Sequence, residues 1–242
     1  MYLVNTNFLI NRNRRFCGPE DDMNPQFAIP QDLFLLRHPF YQAWMEGRLS
    51  SHALKDYAQQ YYPHVEAFPR YISNALELAT SDSGRSILSE NLAEEDGRLH
   101  GVSHPELWLC FAEGIGVGRD EVKSNHSRRA IRKVVETFTS FSHGSWPQAL
   151  GSLYAYESQV PEIAASKIEG LRRHFNIQDQ RTLAFFEIHK EADVEHREKI
   201  QKLIEDLSPE ERAEAQAAAD VACRVLWDFL SDVYQANGCQ SA

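Results

Sequence analysis

The sequence predicts an all-α protein, a bundle of about seven helices with short connections. Three observations carry that expectation. From Gln31 onward nearly every segment has helical periodicity, usually with a capping residue ahead of it. No window alternates apolar and polar residues for long enough to build a sheet. Gly, Pro and Ser punctuate the chain at intervals that suit short interhelical turns.

Taken in order, residues 1–25 are polar and broken by Gly18-Pro19 and Asn24-Pro25. They are expected to form an arm, poorly ordered or lying on a partner. The helical domain is expected over 26–238, with 239–242 as a tail. Residues 41–46 read as a short helix stopped by Gly47. Ser50 or Ser51 caps a helix to about residue 78. Thr80 or Ser81 opens the next, which carries Asn91-Leu92-Ala93-Glu94-Glu95-Asp96. A loop over 97–103 leads to His104-Pro105-Glu106-Leu107-Trp108, with Pro105 in a first turn where its missing N–H costs nothing. Residues 126–141 follow. Ser145 with Pro147 begins a helix that Pro161 should kink before it resumes to residue 175. Asp179 caps a helix to about residue 207, and Ser208-Pro209-Glu210-Glu211 caps the last.

A length of 242 residues suits one domain with a sizeable core, or at most two small ones. A net charge of −10 and a pI near 5.5 argue against nucleic acid and anionic membranes as partners. No apolar run approaches the roughly 20 residues that span a bilayer. Near the start, Leu9-Ile10 precedes Arg12, Arg14 and Arg15, the reverse of a secretory signal. The four cysteines lie far apart and form no CxxC, as expected of reduced thiols in a cytoplasmic protein. A homodimer is the base-rate expectation for its assembly.

Chemistry concentrates in Phe185-Phe186-Glu187-Ile188-His189-Lys190-Glu191-Ala192-Asp193-Val194-Glu195-His196. His189, Asp193 and His196 stand at i, i+4 and i+7, within roughly 60° of one another on a helix. Two imidazoles and a carboxylate on one stripe make half of a metal site. Glu157 is an acid inside an apolar, aromatic stretch one turn before Pro161. Glu95 ends its helix, and His104 lies across the loop. Together Glu95, His104, Glu157, His189, Asp193 and His196 form a donor set suited to two iron or manganese ions bridged by carboxylate. Glu94 and Asp96 rival Glu95, His100 rivals His104, and Glu66 beside His64 is a weaker candidate. Glu187, Glu191 and Glu195 read as a solvated face. His38, His52, His64, His126, His143 and His174 read as surface, cap or core-edge residues.

Several motifs carry a resemblance: Asn91-Leu-x-Glu-Glu, His104-Pro-Glu-Leu-Trp, Tyr154-x-Tyr-Glu-Ser-Gln-Val-Pro and His189-x₃-Asp-x₂-His, with His38-Pro-Phe-Tyr41, Tyr61-Tyr-x-His64-x₂-Ala-Phe-Pro and Lys167 in Ala165-Ser-Lys-Ile-Glu-Gly-Leu. Over residues 35–234 the chain resembles the haem-oxygenase-like di-metal oxidases, in particular the branch containing the chlamydial protein associating with death domains. The resemblance implies a seven-helix bundle that uses Fe/Fe or Mn/Fe, O₂ and an external reductant to make 4-aminobenzoate for folate biosynthesis. It implies that Tyr41 is consumed as the source of the ring and that Lys167 donates the nitrogen. Tyr154, Tyr156, Phe185, Phe186 and Trp108 would wall the pocket. There are departures. The loop between Glu95 and His104 is longer, and Phe185 stands where the chlamydial protein has a tyrosine. That protein's cysteine-rich tail is not evident, so death-domain binding is not transferred. Competing readings are a multiple-turnover oxygenase acting on a free small molecule, a thiaminase-like hydrolase, for which Cys110 lacks a neighbouring base, and a non-catalytic helical interaction module.

Overall fold

The computed structural model describes residues 27–99 and 101–238, without the side chains of 191–194. The arm at 1–25, the tail at 239–242, the rival ligand His100 and the side chain of Asp193 therefore lie outside the described residues.

Among the described residues all regular structure is helical, but the seven-helix expectation is overturned: there are ten α-helices. These are α1 (Pro39–Met45), α2 (Ser51–Leu78), α3 (Asp82–Glu95), α4 (His104–Gly114), α5 (Arg119–Ser124), α6 (Arg129–His143), α7 (Trp146–Glu157), α8 (Val160–His174), α9 (Gln180–Glu205) and α10 (Pro209–Ala236). Two 3-10 turns, Gln31–Leu33 and Leu35–Arg37, precede them.

Two features account for much of the extra count. The expected kink at Pro161 is a full break: α7 ends at Glu157, and Pro161 sits in the first turn of α8, where no N–H is needed. The break is stabilised by the buried side chain of Gln159. Its Nε2 donates to the Ala155 carbonyl at 2.8 Å, and its Oε1 accepts from Leu35 N at 2.8 Å. The Ala155 carbonyl released by the interruption is thereby paired, and the break is tied to the turn at Leu35. The short α5 lies between Gly118 and Asn125 and holds Val122 in the core. Conversely, α2 runs through Pro63 and Pro69 as one helix.

Helix α7 is the centre of the bundle. All its residues except Gln148 are buried, as for a helix that is apolar all round. It packs along α10 so closely that a Cβ on Gly151 would meet the Ala215 carbonyl oxygen at 2.0 Å. Helix α9 packs on α8, α4 and α7, and α2 packs on α6, α3 and α4. The C-terminus of α7, the facing stripe of α9 and the α3–α4 turn thus converge.

Because the obstacle at Gly151 is backbone, it cannot rotate away. Gly151→Ala is expected to destabilise the fold by about 1–3 kcal/mol through overpacking, read as a lower urea midpoint at unchanged m-value.

Candidate metal centre

The site begins at the C-terminal end of α3. Gly97 adopts φ +83°, and a Cβ there would meet Ser103 N at 2.6 Å. Only glycine lets the chain double back this tightly. The turn brings Glu95, the last residue of α3, to His104, the first of α4, with Oε2 2.9 Å from Nδ1. Asp96 turns outward and accepts from Arg98 Nε at 2.7 Å. It is not part of the site.

Across the groove, His189 on α9 places Nε2 4.0 Å from Glu95 Oε1. Its Nδ1 lies 2.6 Å from the Phe185 carbonyl, which assigns the ring proton to Nδ1 and leaves the Nε2 lone pair facing the carboxylate. Two turns later His196 presents Nε2 3.4 Å from Glu94 Oε2. Glu157, the last residue of α7, accepts from Asn91 Nδ2 at 2.9 Å. Glu95, His104, Glu157, His189 and His196 are all buried.

One donor atom from each of Glu95, His104 and His189 lies within 4.8 Å of the others. This is a buried carboxylate–imidazole cluster of the kind that binds a metal ion. Burial alone would push the Glu95 carboxyl upward; the imidazoles of His104, His189 and His196 outweigh it and hold the pKa below its usual value. The carboxylate is thus kept anionic by partners whose lone pairs also suit a cation. The donors are oxygen and imidazole nitrogen, which fit iron or manganese.

Beside His189 opens a cavity of about 20 Å³. Tyr41, Tyr61, Tyr156, Phe185, Phe186 and Lys167 line it. Trp108 stands behind this wall, edge-on to Phe185. Tyr154 points elsewhere, against Phe27 and Gln201. Lys167 is buried on α8; its Nζ donates to Tyr57 Oη at 2.7 Å and lies 5.5 Å from the Tyr41 ring centre. Tyr57 also shares a hydrogen bond with Tyr41. Burial drives the Lys167 amine down to about 7 and the Tyr41 phenol up.

Residues 55–228 match the family described as "Iron-containing redox enzyme". The chain belongs to that family. It is 33% identical over 213 residues to the 4-aminobenzoate synthase of Chlamydia muridarum, covering 88% of this chain and 89% of the relative. It is 35% identical over 225 residues to the 4-aminobenzoate synthase of Nitrosomonas europaea, covering 88% and 90%. A solved domain of unknown function with a haem-oxygenase-like fold, from Shewanella denitrificans, superposes with a TM-score of 0.72 at 18% identity, covering 85% and 87%. The protein is thus a metal-dependent redox enzyme on a haem-oxygenase-like bundle. No described helix is long and apolar enough to cross a membrane.

Some participants in this redox enzyme's site were not foreseen in the sequence. Tyr57 joins Lys167 to Tyr41, yet it is one of nine tyrosines and carries no spacing signal. Asn91 was legible only as part of a motif; a lone amide on the buried side of α3 was the available hint. His64, expected at a surface, cap or core edge, is wholly buried among Tyr61, Phe68, Tyr71, Phe138 and Tyr156. Burial lowers its pKa to about 3, so its ring is neutral. Cys110 is not among the cavity residues; its Sγ lies 3.5 Å from Arg119 Nη2.

Asn91 orients Glu157 without belonging to the donor cluster. Asn91→Ala is expected to weaken iron(II) binding roughly 10- to 100-fold, as measured by competition with a chromogenic chelator.

Proposed function

We propose that this redox enzyme makes 4-aminobenzoate for folate biosynthesis out of its own Tyr41, with Lys167 as nitrogen donor. Glu95, His104, Glu157, His189, Asp193 and His196 would hold two ions, Fe/Fe or Mn/Fe. The 4-aminobenzoate synthases of Chlamydia muridarum and Nitrosomonas europaea, each at least 33% identical over most of both chains, support the product class.

The observation that carries the self-sacrificing reading is the size of the cavity. About 20 Å³ accommodates roughly one water-sized molecule. A cavity that takes up a free benzene ring in another protein is about 150 Å³. Here the aromatic ring beside the donor cluster is already covalently present as Tyr41. A free-substrate oxygenase would need space that these walls do not leave.

Bound ions would supply the electrons and the short-lived oxidant drawn from O₂, with an external reductant completing the electron count. The Cα–Cβ bond of Tyr41 would break and Cβ would be oxidised to the carboxyl carbon, with O₂ as oxidant and O₂ or water as the source of its oxygens. The ring oxygen would leave as water as the Lys167 nitrogen replaces it, and the Nζ–Cε bond of Lys167 would break to leave Cε as an aldehyde. The chain's own groups prepare this. Tyr57 holds the Tyr41 phenol and the Lys167 amine through one hydroxyl. Phe185, Phe186 and Tyr156 exclude water, so a reactive species meets the tyrosine rather than solvent. The low pKa of Lys167 keeps a share of the amine neutral and nucleophilic near pH 7.

The test is isotopic. Protein carrying ring-labelled tyrosine, given iron, reductant and O₂, is expected to release labelled 4-aminobenzoate, at most one per chain, while the peptide containing residue 41 loses its side chain. Unlabelled product, many turnovers, or full yield from Tyr41→Phe would exclude the reading.

Lys167 also sets a pH dependence. The amine is protonated below about 7 and neutral above it, so the rate of product release is expected to climb through that pH and then level off. In the unfolded chain lysine keeps its proton to about 10.4. Between these values the unfolded state binds more protons, so this group makes stability rise with pH across that window. Denaturant titrations should show the rise in the wild type and its loss in Lys167→Met.

A further inference from the structure

The two consecutive acids that end α3 do not share one task. Glu95 faces His104 and His189, whereas Glu94 faces His196. Glu94 Oε2 is shut off from solvent and makes no hydrogen bond; its contact is the His196 imidazole nitrogen at 3.4 Å. Two donors each about 2.1 Å from one ion, at ordinary coordination angles, stand roughly 3.0–3.4 Å from each other. The Glu94–His196 separation fits that spacing.

Local electrostatics point the same way. Glu94, Glu95 and the cap residue Asp96 crowd the C-terminal end of α3, where the helix dipole is negative, and no basic residue lies in the last turn. Asp96 is relieved by Arg98 at the surface. Glu94 and Glu95 point inward, away from such relief. Acids placed against a helix dipole break a local rule, and a bound cation restores it.

We propose that Glu94 is itself a metal ligand, sharing with His196 the second of two ions, while Glu95 serves the ion at His104 and His189. The proposal rests on the two-ion reading above and adds a carboxylate to its donor set. The six-residue set inferred from the sequence admitted Glu94 only as a rival to Glu95; the geometry gives the two acids different nearest imidazoles.

The test is a metal count. Metal-free wild type, Glu94→Gln and Glu90→Gln are loaded anaerobically with manganese(II). Ions per chain are then measured by mass spectrometry, affinities by calorimetry, and positions by anomalous scattering from crystals. Glu90 lies one turn earlier on the same helix and pairs with Lys199 at the surface, so its variant controls for loss of a nearby charge. Circular dichroism checks that each variant is folded. The expected result is two ions in the wild type and in Glu90→Gln. Glu94→Gln should keep the ion at Glu95 and weaken the other about 100-fold, and a Glu94 oxygen should be bonded to that ion in the loaded wild-type crystal. Two ions bound to Glu94→Gln with unchanged affinity would overturn the assignment of Glu94 alone. Loss of both ions from the folded variant, or an equal loss from Glu90→Gln, would also overturn it. A wild type that binds a single ion would overturn the two-ion reading and this proposal together.

Discussion

A carboxylate buried among imidazoles in a dry aromatic shell is the constraint around which this bundle is organised. Glu95 has lost its water, and burial by itself favours the neutral acid. Three imidazoles drawn from α4 and α9 reverse that preference, and backbone devices place the donors of the site. The Gly97 turn brings His104 back onto Glu95. The Phe185 carbonyl fixes the tautomer and aim of His189. The break after Glu157 ends α7 where its last side chain meets Asn91. None of these devices is the cheapest local solution. The first needs a left-handed backbone, the last interrupts a buried helix, and together they concentrate charge inside the protein. Their common result is a set of donors that a divalent cation would satisfy at once.

The aromatic half of the site obeys a related rule. A phenol and an amine buried side by side would each lack hydrogen-bond partners, at a cost of roughly 1–3 kcal/mol per unsatisfied group. Tyr57 removes that cost by bridging the two. Burial suppresses ionisation at both ends of the bridge: the Tyr41 phenol is held protonated and Lys167 is brought close to neutrality, so the pocket carries little charge beside the ring. A pocket of this kind resists water while holding two reactive groups near a metal centre. It also explains why so little free volume remains: the walls close on a ring that is part of the protein.

How much of this could be read from sequence depended on whether the signal was local. Caps at Ser50, Ser81, Asp179 and Ser208 all form as side-chain hydrogen bonds at helix starts, because such bonds involve residues only a few positions apart. The acid within the apolar run of α7 was informative because a helix buried all round has no solvent face on which Glu157 could sit. The helix count failed where long-range contacts decide. Whether Pro161 bends or ends a helix depends on Gln159 reaching Leu35, 124 residues away in the chain. The choice among Glu94, Glu95 and Asp96 was undecidable because three adjacent residues spread over some 200° of a helix, and only the placement of α4 and α9 assigns them. Asp96 finds Arg98 outside, Glu95 finds His104 and Glu94 finds His196. The burial of His64 is hidden for the same reason: nothing local says that five rings enclose it.

The placement of Tyr41 relative to Lys167 depends on anchors at both ends of α1 rather than on the tyrosine itself. At the start, His38 caps the helix through Nδ1, which accepts from Phe40 N at 3.0 Å, while Nε2 reaches Ser231 on α10 at 2.9 Å. Burial lowers this imidazole to about 4, so at neutral pH it remains uncharged and can accept and donate at once. Near the other end, Trp44 Nε1 donates to the Lys167 carbonyl itself, and Gly170 lets the indole lie against α8; a Cβ there would meet the ring at 2.4 Å. Helix α1 is thus pinned to α10 and α8 by residues three positions either side of Tyr41. If Tyr41 is consumed as proposed, its side chain cannot also carry the packing that positions it. Here the positioning is done by His38 and Trp44, and both would keep their contacts after the ring had gone.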